Sequence, residues 1–386
     1  MAGHTARRSL ALLALAAVAV AGCNLGAPRQ TVAVDAAGLA AGDLNGDGVV
    51  DLATAGRGTV AVHLSDGAGG VETTTYVNDD PTGSAYYSGV EVVDGDSDGD
   101  LDVVVVQYYE RIGGSDIRMW PNDGTGALGA GVPFGGGAFV LDMATGDIDG
   151  DGADDLAFVE DFATRITSGN GMAAATTIEL PEGGGSGVEM ADVDSDGFDD
   201  VLVAGWTHSD PGDPASVRLY RATPTGFDPP VDVPVGGLQV VSRAVWGSDL
   251  DGDGHIDIVT INGPTNPVPA HQGEVAVVFG DGEGTFSSPV VTPGIPRVDG
   301  HLELDTGDID DDGFADVVLA HPGGVRVMFG DSTGALADPH VLNPSDGGAA
   351  GVEVLDVDGD GVDDVVTTGT RLDIFPNRLD GARTHD

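Results

Sequence analysis

One nine-residue pattern recurs seven times along the chain and constrains its fold more than any other feature. The copies start at Asp43 (DLNGDGVVD), Asp94 (DGDSDGDLD), Asp147 (DIDGDGADD), Asp192 (DVDSDGFDD), Asp249 (DLDGDGHID), Asp308 (DIDDDGFAD) and Asp356 (DVDGDGVDD). Their starts lie 51, 53, 45, 57, 59 and 48 residues apart. Positions 1, 3, 5 and 9 carry an oxygen-bearing side chain in every copy, which is Asp in 27 of 28 cases and Asn45 in the other. Position 6 is always Gly, and Leu, Val or Ile follows each copy directly. Self-similarity at a fixed period of this length marks a repeat architecture, in which each unit buries its apolar face against its neighbours.

The rest of each unit repeats as well. After the Asp loop comes a short apolar run, such as DVVVV from Asp102 or DIVTI from Asp257. An alternating segment follows, such as Glu274–Phe279 (EVAVVF) or Gly324–Phe329 (GVRVMF). A Gly-rich turn like Gly280–Thr285 (GDGEGT) then leads to a further strand expected to begin near Phe286. The apolar run entering each loop, such as Gly351–Leu355, supplies one more. Four short strands per unit of about 50 residues fit propeller blades better than solenoid coils. The sequence therefore predicts an all-β, seven-bladed β-propeller over residues 29–378 as one domain. With 41% hydrophobic residues and 63 glycines, the chain can build a core from short strands and tight turns.

The Asp loops carry the chemistry. Residues 1, 3 and 5 of a tight turn direct three side-chain oxygens to one centre, position 7 adds a backbone carbonyl, and a ninth-position carboxylate closes the shell. That donor set suits calcium, which takes six to eight oxygens in flexible geometry. Magnesium prefers to keep its waters, and zinc wants His or Cys. The expected ligands are Asp43, Asn45, Asp47, Val49 and Asp51 in loop 1, and Asp94, Asp96, Asp98, Asp100 and Asp102 in loop 2. Loop 3 offers Asp147, Asp149, Asp151, Ala153 and Asp155, and loop 4 offers Asp192, Asp194, Asp196, Phe198 and Asp200. Loop 5 offers Asp249, Asp251, Asp253, His255 and Asp257, where His255 needs only its carbonyl. Loop 6 offers Asp308, Asp310, Asp312, Phe314 and Asp316, and loop 7 offers Asp356, Asp358, Asp360, Val362 and Asp364. Half of all acidic residues, 32 of 64, fall inside these windows. Such crowding costs several kcal/mol of repulsion unless a cation neutralises it.

The loops, the four-strand period and segments such as Phe279-Gly280 closely resemble FG-GAP/VCBS repeats, the unit of the integrin α-chain propeller. The resemblance implies up to seven calcium ions, each held in the hairpin between the first two strands of a blade. It also implies that the calcium hairpins share one face with the turns between third and fourth strands. Ligand contacts are expected on the opposite face, where Tyr86, Tyr87, Tyr108, Tyr109, Arg111, Trp206, His208, Arg243, His271, Arg297 and His301 fall. Aromatic and Arg side chains are common interface anchors.

All 15 basic residues are Arg, and the net charge of −49 argues against nucleic acid as a partner. The N-terminus reads as a targeting segment, with Arg7 and Arg8 preceding an apolar run from Leu10 to Ala21 that is too short to span a bilayer. Val20-Ala21-Gly22-Cys23 resembles the lipobox of bacterial lipoproteins, and Cys23 is the only cysteine. The expectation is a signal peptide over 1–22, a lipid on Cys23, a tether over 23–28 and a polar tail over 379–386. The product would be an exported monomer anchored to the outer membrane or cell surface. The last unit ends after its third strand, Arg371–Phe375, while Thr31–Asp35 lacks a unit of its own. The N-terminal segment is thus expected to supply the missing outer strand of blade 7 and close the ring.

Three functions remain open from sequence: a non-catalytic binding or adhesion module for a protein or glycan, a lyase-like polysaccharide enzyme, or a structural part of a surface complex. Two G-x-S-x-G strings, at Gly95–Gly99 and Gly330–Gly334, fall in loop 2 and in a Gly-rich turn rather than before a helix. That context does not make a nucleophile elbow, and the expectation is no enzyme.

Overall fold

The second strand of each unit is a continuous apolar run, the pattern of a strand covered on both faces. The computed structural model bears this out. It describes residues 25–377 apart from 26–27, 29, 78–84, 110–113, 136–138, 161–162, 169–175, 181–184, 206–213, 239, 265–272, 296–301, 338 and 346. Seven four-stranded antiparallel sheets form the ring of a β-propeller, and the described residues contain no helix.

Blade 1 comprises Ala36–Gly42, Asp51–Gly56, Thr59–Ser65 and Val71–Val77, and blade 2 comprises Ala85–Val93, Asp102–Tyr109, Ser115–Trp120 and Val132–Gly135. Blade 3 is Val140–Gly146, Asp155–Glu160, Ala163–Ser168 and Thr176–Glu179, and blade 4 is Gly187–Ala191, Asp200–Ala204, Pro214–Tyr220 and Val231–Leu238. Blade 5 is Val240–Ser248, Asp257–Pro264, Gly273–Val278 and Val290–Ile295, and blade 6 is Glu303–Gly307, Asp316–His321, Gly324–Met328 and His340–Leu342. Blade 7 is Gly351–Leu355, Asp364–Thr368 and Arg371–Phe375, completed by Gln30–Ala33. The outer strand of blade 5 starts at Val290 rather than at Phe286, which makes only an isolated bridge to Gly280. Pro289 just before Val290 lacks the N–H that an earlier start would need.

The ring closes between the chain ends as expected. Gln30 pairs with Ile374 and Ala33 with Arg371 in antiparallel register. Closure of this kind leaves no unpaired gap in the last sheet. Leu25 is buried in the cluster of Ile309, Val325, Leu342 and Phe375 from blades 6 and 7.

Burial falls outward across each blade. Every residue of Asp51–Gly56, Asp155–Glu160 and Asp316–His321 is buried, whereas the outer strand Val71–Val77 has no buried residue. Neighbouring blades pack face to face: Ala53, Val60 and Val62 of blade 1 meet Tyr87, Val90, Val103 and Val105 of blade 2. Leu or Val burial at such contacts stabilises by about 1.5–3 kcal/mol per side chain.

Candidate metal centre

Each Asp loop joins the innermost strand of its blade to the second, as the repeat spacing predicts. The loops share one backbone path. Position 4 has positive φ in all seven: Gly46, Ser97, Gly150, Ser195, Gly252, Asp311 and Gly359, between 58° and 76°. Position 6 is also left-handed, from 86° at Gly152 to 99° at Gly99. A Cβ on Gly48, Gly99, Gly152, Gly197, Gly254, Gly313 or Gly361 would touch nothing within 4 Å. Glycine is therefore required at position 6 by backbone conformation, not by space.

Loop 6 shows how the carboxylates are held. Asp308 Oδ1 accepts the N–H of Asp312 at 3.0 Å and its Oδ2 accepts that of Gly313 at 2.9 Å. Asp312 Oδ1 accepts the N–H of Phe314 at 3.0 Å. Asp316 Oδ2 accepts from Ile309 at 2.9 Å and Oδ1 from Gly330 at 2.9 Å. The bonds from position 6 to position 1, from position 7 to position 5 and from position 2 to position 9 recur in all seven loops. Position 9 thus also pins the loop to the end of its blade's third strand, through Ser65, Asn122, Ala222, Gly280, Gly330 and Asn377.

This geometry gathers negative charge. Carboxylate oxygens of positions 1, 3 and 9 lie within 4.8 Å of one another in the sets Asp94/Asp96/Asp102, Asp147/Asp149/Asp155, Asp192/Asp194/Asp200, Asp249/Asp251/Asp257 and Asp308/Asp310/Asp316. The position-5 aspartate is not among the three in these sets; its carboxylate accepts the position-7 N–H. Burial is deepest at position 9, where Asp51, Asp102, Asp200, Asp257, Asp316 and Asp364 are fully buried. Burial pushes their carboxyls up, opposed by the backbone N–H bonds: to about 6 for Asp51, about 7 for Asp102, Asp257 and Asp364, and about 8 for Asp200 and Asp316. Burial and then the neighbouring Asp312 and Asp308 raise Asp310 to about 6.

The donor set fits a hard cation. Asp194 Oδ1 and Asp310 Oδ1, both at position 3, are buried with no hydrogen-bond partner. A buried carboxylate oxygen without a donor costs more than a net hydrogen bond returns, and a cation between positions 1, 3 and 9 would satisfy it. The loops are not equal. Arg221 Nη1 lies 3.7 Å from Asp194 Oδ2 and supplies part of the countercharge in loop 4. In loop 1 the position-3 residue is the uncharged Asn45, which lowers the negative charge of that loop.

The expected ligand face is less uniform. Tyr87 is a correction: it is fully buried between blades 1 and 2 and belongs to the core. It stands on the innermost strand of blade 2, Ala85–Val93, beside a register shift between Tyr87 and Val90. Tyr86 and Arg243 lie within innermost strands rather than in connections. Tyr108 and Tyr109 end a second strand and are half-buried; Tyr108 donates to the Val140 carbonyl, and Tyr109 donates to Asp116 Oδ2 at 2.8 Å. Arg111, Trp206, His208, His271, Arg297 and His301 lie outside the described residues, as does Cys23. On the ring axis, Glu91, Asp142, Glu189, Trp246, Glu303 and Glu353 line a cavity of about 60 Å³. That cavity is far below the ~300 Å³ of a small-molecule site.

The FG-GAP-like repeat family matches residues 43–105, 94–158, 192–260, 249–319 and 308–367. Among solved structures, a lectin of Agrocybe aegerita that recognises non-reducing terminal N-acetylglucosamine is similar, with a TM-score of 0.53 and 17% identity over 82% of this chain and 80% of that one. The Dos1 propeller is similar with a TM-score of 0.54 and 12% identity over 90% of this chain and 94% of that one. No curated protein matches the chain in sequence.

Proposed function

The chain belongs to the FG-GAP-like repeat family, and from that premise we propose that it is a calcium-stabilised binding module held at the cell envelope by a lipid on Cys23. The carrying observation is the convergence of three carboxylates in loop after loop, with an unpartnered buried oxygen at Asp194 and Asp310. Calcium at positions 1, 3 and 9, joined by the position-7 carbonyl, meets that demand. Titration calorimetry with elemental analysis on the purified chain tests it. Up to seven ions per chain are expected, and a chain that binds none refutes the calcium reading.

Recognition is assigned to the end of the ring opposite the calcium loops, and the role is binding rather than catalysis. There the connections differ from blade to blade, as specificity loops do on a fixed scaffold. A propeller of this shape hosts sugar recognition in the Agrocybe aegerita lectin, so glycans are the first ligand class to test. A glycan array read beside a polysaccharide-shortening assay separates a binding protein from a lyase.

The closure strand supports an orientation for the proposed anchor. Gln30–Ala33 runs antiparallel to Arg371–Phe375, whose far end leads to Asn377 beside loops 6 and 7. The N-terminus therefore leaves from the calcium end. Leu25 is already buried in the body, and two residues span at most about 7 Å. A lipid on Cys23 would hold the calcium end against the membrane and the variable end outward. Metabolic acyl labelling that is lost in Cys23→Ser tests this.

A further inference from the structure

The loops are tied to one another as well as to their own blades. Asn122 Nδ2 of blade 2 donates to the Leu44 carbonyl of loop 1 at 2.7 Å. Asn377 of blade 7 donates likewise to the Ile309 carbonyl of loop 6. At two junctions the tie reaches position 1 itself. Asp147 N–H, which opens loop 3, donates to Asp199 Oδ2 at 2.9 Å, and Asp199 N–H returns a bond to the Asp147 carbonyl at 2.9 Å. The carboxylate of Asp363 lies against the backbone that opens loop 6, at Gly307 and Asp308. Asp199 and Asp363 occupy position 8 of loops 4 and 7, beside the ligand positions but not at one.

The clasp is built into the neighbouring backbone. The residue before each clasped loop is glycine. A Cβ on Gly146 would lie 2.8 Å from Asp199 Oδ2 and 2.9 Å from Met190 Cβ. One on Gly307 would lie 2.7 Å from Asp363 Oδ2 and 2.4 Å from Val354 Cγ1. Position 8 sits between the carbonyl of position 7 and the carboxylate of position 9. An ion that fixes positions 7 and 9 of loop 4 therefore fixes Asp199, and with it the backbone of the first ligand of loop 3. When one ligand orders an element that its neighbour also needs, the second binds more tightly.

We propose, resting on the calcium reading above, that Asp199 and Asp363 are positioning residues that couple adjacent metal sites, so that loops 3 and 4, and loops 6 and 7, fill as cooperative pairs. Coupling of this kind is reciprocal and is commonly of the order of 5- to 100-fold in affinity. It does not require any change in the ligands themselves.

Hydrogen-exchange mass spectrometry of the full chain during a calcium titration reads each loop separately. In the parent chain, loops 3 and 4 should become protected over one shared calcium range. Asp192→Asn weakens loop 4 alone, by taking the charge from its first ligand. It should raise the calcium midpoint of loop 3 by roughly 5- to 20-fold and leave loop 1 within about twofold. On an Asp199→Ala background, which removes the side-chain acceptor of the Asp147 N–H, Asp192→Asn should no longer move loop 3. Should Asp192→Asn fail to fold, Asp356→Asn read at loop 6 tests the same coupling through Asp363. A loop-3 or loop-6 midpoint that ignores its neighbour's loss overturns the coupling while leaving calcium binding intact. Absence of calcium protection at every loop of the parent chain overturns both.

Discussion

At one end of the ring, the same eight-residue connection joins the first two strands of every blade, from 43–50 in blade 1 to 356–363 in blade 7. At the other end, the connections between second and third strands are two residues long in blades 1, 3, 6 and 7 (57–58, 161–162, 322–323 and 369–370), but span 110–114, 205–213 and 265–272 in blades 2, 4 and 5. Both ends cap the same sheets, so the sheet does not set loop length. The difference lies in what holds each loop. An Asp loop has to meet its own backbone bonds, the end of its third strand and, at some junctions, the next blade. A loop under that many constraints cannot gain or lose a residue. Between second and third strands length does vary from blade to blade, which costs little entropy and leaves specificity free to change.

Removing calcium should break the constant end most. Each site at 100 times its dissociation constant adds about 2.7 kcal/mol, so chelation should lower the melting temperature by roughly 10 °C or more. Hydrogen exchange should rise first in the Asp loops and the strands they pin, with the opposite connections following. A metal-free chain that melts like the loaded one, or opens evenly at both ends, would remove the distinction between them.

The pH dependence follows from the same carboxylates. Folded values of about 8 for Asp200 and Asp316, and about 7 for Asp102, Asp257 and Asp364, lie above the usual Asp value. Raised carboxyls contribute stability that is fully present below the unfolded value of about 3.9 and is lost as pH rises through 7 to 8. The chelated protein should therefore melt higher at pH 5.5 than at pH 8, by roughly 5 °C. Calcium binds the ionised form, so the stabilisation it adds should be larger at pH 8. Scanning calorimetry at both values checks the sign, and a chelated protein that melts lower at pH 5.5 contradicts it.

A single backbone position should produce a smaller, local effect. Gly254 has φ of 90° and an empty space where a Cβ would go. Gly254→Ala should cost about 1–2 kcal/mol through conformation alone. That corresponds to a roughly 5- to 30-fold higher calcium midpoint at loop 5. Loop 1, across the ring, should keep its own midpoint. An unchanged loop 5 would mean that the left-handed turn is not what position 6 contributes.

Much of this architecture is legible in the repeat. Strict spacing locates the seven hairpins, and the orphan strand near Thr31 points to the closure made by Gln30–Ala33. Position 4 gives no such signal, because Gly, Ser and Asp share no side-chain chemistry; what they share is a left-handed backbone. The position-8 clasps are invisible for another reason. Asp stands there in loops 3, 4 and 7 only, and Asp199 meets Asp147 across a blade boundary. Tyr87 misleads because aromatics near a blade end read equally as surface anchors or as core, and only the packing of blade 1 against blade 2 decides between them.

The smallest expected effect on stability comes from the variable end, and it bears most directly on the contrast between the two ends. Residues 206–212 of blade 4 can be cut so that Ala204 and Pro214 are joined through Gly205 and Asp213, a two-residue turn of the length blade 6 uses at 322–323. Shortening a nine-residue connection to two removes roughly two doublings of loop length, worth about 1 kcal/mol in favour of the folded state. The shortened chain should melt within a few degrees of the parent and take up calcium in loop 4 with the same midpoint. Binding to whatever glycan or protein the array identifies should fall, because Trp206 and His208 leave with the segment. A loss of calcium protection in loop 4 would show that the two ends communicate through the second strand Asp200–Ala204, which joins them and is buried along its whole length. In that case the variable loops would be part of the scaffold rather than passengers on it.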